Sequence, residues 1–283
     1  MMLRGILTSI AILWLLTPII PFIHPIMIAI QATAWIGGAL LVLLILPGWR
    51  TRLAAVVVLL VFLEVPHLRP VPDAPDGAIR VAVMNTQYQR TDPDELSAEI
   101  TAVTPDVVVL AETTRDEATA VASATGLTIT GPPIKTGGSG VAVLMREAAT
   151  VGPQLRAGLH QLPVVDKQGV TVVGVHTVAP VNGRQIQLWT HDFEQLRSVT
   201  EGTAPLIMAG DFNAGVLHPT FRSLGLRDCA PLTPTWPSFA AVLRIDHILV
   251  RPEASCGASG AFRVSGTDHV GVWADVIPRS DIA

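Results

Sequence analysis

Residues 205–213 read PLIMAGDFN, a run of apolar residues followed directly by an acidic and an amide side chain. The run has the length and composition of a buried strand. A similar run, residues 244–250 (RIDHILV), contains an Asp-His pair, and a further Asp-His pair follows at residues 267–269 (TDH). Polar side chains beside buried strands are costly to keep for packing alone. Carboxylates, an amide and a histidine that converge at strand ends suit a hard metal ion and a phosphate ester.

Three further apolar runs lie upstream, each with a polar residue at or next to its end. They are residues 81–85 (VAVMN), 107–112 (VVVLAE) and 172–177 (VVGVHT). In order with the strings above, over roughly residues 79–277, they resemble the endonuclease/exonuclease/phosphatase superfamily, the DNase I-like hydrolases. The resemblance implies an α/β fold of the DNase I-like type, a four-layer α/β/β/α sandwich with its site at one end of two sheets.

The resemblance also implies that eight residues of these strings form one site, which hydrolyses a phosphate ester or pyrophosphate with a divalent metal. Glu112 would hold the metal, Mg²⁺ or Mn²⁺, because carboxylate oxygen suits these cations. Asn85 and Asp268 would be further ligands or would lie directly behind the ligands. The expected catalytic residues are His176, Asp211, Asn213, Asp246 and His269.

Each catalytic residue has an expected task in the attack of water on phosphorus. Asp211 would orient or deprotonate the water, and Asn213 would donate a hydrogen bond to a phosphate oxygen. His269 would stabilise negative charge, kept protonated by Asp246, since a neighbouring carboxylate raises an imidazole pKa. His176 would contact the phosphate or protonate the leaving oxygen. The division of base and acid roles between Asp211 and the two histidines stays open.

Several other polar and sulfur-containing residues lie outside these motifs. The remaining histidines of residues 78–283, where a catalytic domain is expected, are expected to be structural: His160, His191, His218 and His247. Trp236 lies in the string TPTWP and either lines the substrate entrance or belongs to a rigid surface loop. Cys229 and Cys256 either form a disulfide or stay buried thiols.

Apolar runs elsewhere in the catalytic part alternate with Gly- and Pro-rich turns, a pattern that predicts strands. The additional predicted strands are residues 141–145, 186–189 and 270–276. A helical pattern covers residues 93–103, with Asp92 as the candidate cap, and residues 193–200.

The first 69 residues are nearly all apolar, and their only formal charges are Arg4, Arg50, Arg52, Glu64 and Arg69. A membrane anchor is predicted here, because about 20 apolar residues cross a bilayer core. Its expected spans are residues 5–23, 26–46 and 53–68. The third stretch is short and holds Glu64, so an interfacial or buried helix is the alternative. A Pro-rich linker is expected at residues 70–77 and one catalytic domain at residues 78–283.

Positive charge in the anchor lies at Arg4 and in the turn around Arg50 and Arg52. The positive-inside rule places both in the cytoplasm. Three spans would then carry the catalytic domain to the outer side of the plasma membrane, whereas two would leave it inside. A disulfide would support the outer placement.

The catalytic part is acidic. Residues 77–283 hold 15 of the 19 Lys and Arg and 20 of the 23 Asp and Glu, a net charge of −5. Proteins that bind a phosphate backbone usually present a basic surface. The charge therefore argues against nucleic acid as a partner.

An anchor followed by this type of hydrolase domain resembles VanJ-type bacterial membrane proteins. That resemblance implies a lipid-linked phosphate or pyrophosphate at the lipid bilayer as substrate. One alternative is a surface nuclease, which a basic groove would favour. The other is a catalytically inactive membrane sensor or assembly protein, in which Glu112, Asp211 and His269 would not converge.

Overall fold

The computed structural model describes residues 2–20, 23–68, 70–134 and 140–278. Parts of the predicted segments lie outside these ranges. They are residues 1, 21–22 and 69 of the anchor and residues 135–139 and 279–283 of the catalytic domain.

The chain begins with helices, and strands follow from Ile79 onward. The helices are α1 (Met2–Leu16), α2 (Pro25–Ala32), α3 (Ala34–Ile45), α4 (Gly48–Leu68), α5 (Pro93–Val103), α6 (Arg115–Thr125), α7 (Gly183–Thr200) and α8 (Pro219–Arg222). The strands are β1 (Ile79–Asn85), β2 (Val107–Ala111), β3 (Thr128–Thr130), β4 (Val141–Met145), β5 (Thr150–Val151), β6 (Leu155–Ala157), β7 (His160–Leu162), β8 (Val164–Lys167), β9 (Val170–His176), β10 (Leu206–Asp211), β11 (Arg227–Asp228), β12 (Asp246–Val250), β13 (Ser255–Phe262) and β14 (Gly271–Ile277).

Two six-stranded sheets form the centre of the part that follows the linker. The first has the order β13-β14-β1-β2-β4-β3 and the second the order β11-β12-β10-β9-β8-β5. The strands β6 and β7 form a separate hairpin. In each sheet two central strands run parallel, β1 with β2 and β9 with β10, and their other partners are antiparallel.

Side-chain alternation along the strands builds two apolar layers on the first sheet. Val81 and Val83 of β1 belong to the cluster shared with the second sheet. Ala82 and Met84 belong to a separate cluster with the apolar faces of α5 and α6. Helix α7 packs Trp189 and other apolar residues into the cluster of the second sheet. The order of layers is that of an α/β sandwich.

The predicted helix at residues 93–103 is confirmed, with Asp92 Oδ1 accepting from the amides of Asp94 and Glu95 at 2.9 and 3.0 Å. The predicted strand at residues 186–189 is wrong, because α7 covers residues 183–200. The buried side chains Trp189, Phe193 and Leu196 recur at helical spacing. The four residues of the predicted strand contain only the first of them, so they do not show this spacing.

The N-terminal helices differ from the predicted spans in their bounds. The first predicted span is interrupted, since α1 ends at Leu16 and a 3₁₀ turn follows at Thr17–Ile19. The second is broken at Thr33, whose hydroxyl bonds back to the carbonyls of Ala29 and Ile30 at 3.0 and 3.1 Å. The third begins earlier than predicted, at Gly48.

Among the described residues, no single helix combines the length and the apolar composition needed to cross a membrane. Helices α2 and α3, which bend by 47° at their junction, meet that requirement only as a pair.

A disulfide joins Cys229 and Cys256, whose Cα atoms lie 5.3 Å apart. Cys229 follows β11 and Cys256 lies in β13, and each of these strands is the edge of a different sheet. The bond therefore links the two sheets at their edges.

A buried ion pair joins two neighbouring strands of the first sheet. Arg80 in β1 contacts both carboxylate oxygens of Asp275 in β14, at 2.7 and 3.0 Å, and both side chains are almost fully buried. The guanidinium also stacks on Trp273 and donates to the carbonyls of Val103 and Pro72. These contacts connect the start of β1 to the last strand and to the linker.

Replacing Arg80 with Met should lower the free energy of unfolding by about 3–5 kcal/mol, because it leaves the buried Asp275 carboxylate without a cation. Urea denaturation of the purified protein measures this change. Glu147→Gln, which breaks the half-exposed pair of Glu147 with Lys167, is the control and should have a far smaller effect. An equal effect of the two substitutions would contradict the prediction.

Candidate active site

Strand register brings the first site residues together. Asp211, the last residue of β10, is paired with His176 at the end of β9 and with Asp246 at the start of β12. Asn85, the last residue of β1, is paired with Ala111, so that Glu112 follows at the end of β2. The two groups lie at facing ends of the two sheets.

Asn85 joins these two groups through one amide nitrogen. Its Nδ2 donates to Glu112 Oε1 at 3.1 Å and to Asp211 Oδ2 at 3.0 Å. Its Oδ1 accepts from the backbone amide of Gln87 at 3.0 Å. Asn85 is therefore a donor to both carboxylates in this arrangement, and its role as a metal ligand stays a prediction.

His269 and Asp246 form the predicted pair. His269 Nδ1 lies 2.9 Å from Asp246 Oδ2, and its Nε2 lies 3.9 Å from Asp211 Oδ2. Burial alone would lower the pKa of His269, but Asp246, Asp211 and Asp268 outweigh it and raise the pKa to about 10. The imidazole is therefore protonated at neutral pH.

Asp211 lies between this cation and the Glu112 side of the site. Burial, and then the charge of Asp246, raise the pKa of Asp211, while His269 and hydrogen bonds from Asn213 and Asn85 act in the opposite direction. A buried carboxylate with a raised pKa can accept a proton near neutral pH.

Asn213 and Asp268 reach the same cavity but are held by other partners. Asn213 Nδ2 donates to the Thr177 carbonyl at 2.9 Å, and its backbone amide donates to Asp211 Oδ1 at 2.8 Å. Asp268 Oδ2 accepts from the Trp236 indole at 2.9 Å, while its Oδ1 lies 4.0 Å from His269 Nε2. All eight predicted residues thus lie around one site, with Asp268 at its Trp236 side.

Other histidines differ in what they contact. The His160 ring packs on that of His176, with centroids 4.0 Å apart, so it belongs to the site wall. His247 was expected only to pack, but its ring nitrogens lie 2.6 Å from Asp228 Oδ2 and 2.9 Å from the Ala214 carbonyl. It thereby holds the loop that follows Asn213. His218 caps α8, and His191 lies half exposed on α7.

A buried group of threonines around Glu117 also supports the site, and motif matching missed it. Glu117 accepts hydrogen bonds from the hydroxyls of Thr86 and Thr113, each at 2.7 Å, and from Thr91. Thr86 follows Asn85 and Thr113 follows Glu112, so the group fixes both strand ends. The spacing of Thr114 and Glu117, a helix-capping pattern, was the available signal.

The site opens into a cavity of about 880 Å³. Its floor is formed by Glu112, His176, Asp211 and His269. Further polar side chains line it, among them Gln87, Tyr88, His160 and Gln185, and the remaining lining residues are mostly apolar. None of the described residues that line the cavity is a lysine or an arginine.

The family model described as "Endonuclease/Exonuclease/phosphatase family" matches residues 82–269, about two thirds of the chain. The chain belongs to this family. A search of curated protein sequences gave no significant match. Members of the family are metal-dependent hydrolases of phosphoester bonds, and this chain is such a hydrolase.

Solved structures similar to this chain share its fold. A 3′ phosphatase, NExo, from Neisseria bound to a product DNA hairpin is 20% identical, with a TM-score of 0.58 over 70% of this chain and 98% of its own. An AP endonuclease from Archaeoglobus fulgidus is 16% identical, with a TM-score of 0.57 over 69% and 98%. TDP2 from D. rerio, complexed with a single-strand DNA product, is 15% identical, with a TM-score of 0.55 over 71% and 99%. The fold is accordingly the α/β DNase I-like fold.

The residues present fit the divalent metal on which the family depends. Single ligand atoms of Glu112, His176 and Asp211 lie within 4.8 Å of one another. Glu112 Oε2 is buried and has no hydrogen-bond partner among the described residues. Burial also raises the pKa of Glu112, and a bound cation would offset that cost. The Glu112 backbone takes a left-handed conformation, φ 55°, that directs the residue out of the strand.

Replacing Asp246 with Asn should lower the pKa of His269 by about 1–3 units, because the nearest opposite charge is lost. His269 would then lose its proton well below pH 10 as the pH rises. Imidazole nitrogen chemical shifts in a metal-free NMR titration measure this pKa. Asp228→Asn removes the carboxylate of the other buried Asp-His pair and should leave the His269 titration in place. An unchanged titration in Asp246→Asn would show that Asp246 does not hold the proton.

Proposed function

We propose that the chain is a membrane-anchored, Mg²⁺-dependent hydrolase of a lipid-linked phosphate ester or pyrophosphate. The observation that supports hydrolysis is the position of Asn85, which holds Glu112 and Asp211 together beside the protonated His269. The inactive-sensor alternative required that these residues stay apart, and they do not.

The proposed anchor is supported by apolar surface on the N-terminal helices. Large apolar side chains that are at least half exposed are spread along all four of these helices, among them Leu3, Ile10, Leu13, Ile26, Ile45, Leu53, Val58 and Leu60. An apolar surface of this extent is unfavourable in water and suits a lipid environment.

A lipid-linked substrate accords with the charge and lining of the cavity. Enzymes that hold a nucleic-acid backbone use lysine and arginine, and the described lining has neither. The alternative of a nuclease has support from the similar structures that contain DNA. The catalytic part nevertheless carries a net charge of −5, with 15 basic and 20 acidic residues after residue 76.

The proposed mechanism is an attack of water on phosphorus. Asp211 orients the water and takes its proton as the new P–O bond forms and the bond to the leaving oxygen breaks. His269 donates to a non-bridging phosphate oxygen, and Asp246 fixes its tautomer and its charge. A metal held by Glu112, with Asp211 or His176 beside it, would supply positive charge for the phosphate oxygens. Mg²⁺ is proposed because the ligands are mainly carboxylate oxygens.

His176 is proposed to act on the metal side of the site and not as the acid. Its Nε2 lies 3.6 Å from Glu112 Oε1. Burial, and then the nearby His160 and His269, hold its pKa well below the usual value, so that the ring is neutral. A neutral imidazole suits a metal or an accepted hydrogen bond.

The catalytic domain is proposed to lie outside the cell, at the outer face of the plasma membrane. The arginines of the N-terminal region lie at residue 4 and around residue 50, which favours a cytoplasmic position for both points. The Cys229–Cys256 disulfide supports an oxidising compartment.

Hydrolysis by the detergent-purified chain should be highest on polyprenyl pyrophosphate, compared with sphingomyelin and single-stranded DNA. EDTA should abolish it, and Glu112→Gln should lower it by at least about 100-fold, because the metal loses its principal carboxylate. Phosphate release is the measurement, and Glu147→Gln, outside the cavity lining, is the control. Preferential DNA cleavage would replace the proposal with a surface nuclease.

The location gives a separate test. When cells are denatured directly in the presence of a maleimide, both cysteines should stay unlabelled. They should become labelled only after reduction, since the chain has two cysteines and both are paired. Mass spectrometry of the labelled protein measures the number of free thiols. Labelling without reduction would place the domain in a reducing compartment.

A further inference from the structure

One wall of the active-site cavity comes from the N-terminal helices and not from the catalytic sandwich. Pro25, Ile28, Ala29 and Ala32 of α2 line the same cavity as Glu112 and His269. Seven of the eight residues of the helix (PIMIAIQA) are apolar, and the exception, Gln31, is buried and donates to the carbonyls of Thr17 and Ile20. A segment expected only to attach the protein to a membrane therefore borders the reacting centre.

Helix α2 is held in this place by specific contacts. A Cβ atom on Gly215, just beyond the GDFN loop, would lie 3.1 Å from Ala32 Cα, so the helix and the loop touch. Ile28 is only 5% exposed and belongs to the core cluster of the sheets. In the next helix, the Trp35 indole donates to the Val242 carbonyl at 3.0 Å. The wall is thus part of the folded active site.

Other parts of the cavity lining are apolar as well. Residues 178–181 (VAPV), Leu159 and Leu243 belong to it. A cavity of about 880 Å³ is near the upper end of the roughly 300–1,000 Å³ typical of sites for whole small molecules. A phosphate group beside Glu112 and Asp211 leaves most of this space to the group attached to it, and aliphatic side chains make up much of the lining there.

We propose that α2 is a substrate-binding element that contacts the hydrocarbon chain attached to the scissile phosphate. The inference rests on the proposed function and adds which residues contact the hydrocarbon of the substrate. The occupant is aliphatic because α2 offers the cavity Ile, Ala and Pro side chains, which bury methylene groups but form no hydrogen bonds with a base or sugar. Ala29 is the residue best suited to a test by substitution, since its small side chain is exposed and lines the cavity.

The test uses the full chain in detergent with dimethylallyl, geranyl and farnesyl pyrophosphate, which share one reacting group and differ by one isoprene unit at each step. For the wild type, kcat/KM should rise along the series, by at most roughly fourfold for each CH₂ buried. Ala29→Trp fills cavity space that the longer chains would occupy and should flatten this rise. We expect the ratio of farnesyl to dimethylallyl kcat/KM to fall at least about tenfold.

Ile26→Trp is the matched control. Ile26 lies on the same helix, is 65% exposed and does not line the cavity, so its substitution should keep the wild-type ratio. Ala29→Leu is a milder second variant, which should lower the ratio by a smaller factor if the tryptophan disturbs folding.

The outcomes separate this inference from the proposed function. An active series in which Ala29→Trp and Ala29→Leu lower all three substrates equally, or in which the wild type shows no rise, would refute the role of α2 alone. Absence of hydrolysis of all three substrates, with release of phosphate from DNA ends, would refute the proposed function and the inference together.

Discussion

The structure depends on one constraint, that several carboxylates lie buried at facing ends of two sheets. Glu112 comes from the first sheet, and Asp211 and Asp246 come from the second. Like charges in a medium of low polarity repel strongly unless cations or donors lie between them. The Asn85 amide and the His269 imidazolium are the groups that do so here. A divalent cation would supply the remaining positive charge, so the carboxylates that are costly to bury are also the groups that would hold the metal.

The supporting hydrogen bonds follow from this constraint. Asn85 can bridge two carboxylates only if its own strand end is fixed. Its carbonyl accepts from the Thr267 hydroxyl at 2.7 Å, and that hydroxyl in turn accepts from the His269 amide at 3.1 Å. The Thr–Glu117 group holds the opposite side of the same strand end. The bridging amide and the imidazole are therefore positioned by one connected set of bonds, and small shifts in either would move both.

Much of this could be predicted because the chemistry lies at strand ends. Apolar runs such as residues 107–111 have the length and the β-branched composition of buried strands, and the polar residue that follows or ends each run marks the site. The segments that prediction missed lack that pattern. Strand β13 reads SCGASGAF and pairs through its backbone, and the break at Thr33 depends on a hydroxyl within an apolar run. Likewise, the place of α2 at the cavity is a tertiary contact, which no local pattern of the helix reveals.

The cavity also indicates where binding energy for an anionic substrate must come from. Its described lining has no lysine or arginine, and His269 is already paired with Asp246. Beside several carboxylates, a phosphate therefore gains little net attraction from the protein itself. A bound metal would compensate at the phosphate, and most of the remaining lining offers apolar contacts to the rest of the molecule. Selectivity in such a site depends on the group attached to the phosphate, and the aliphatic walls favour a hydrocarbon over a sugar or a base.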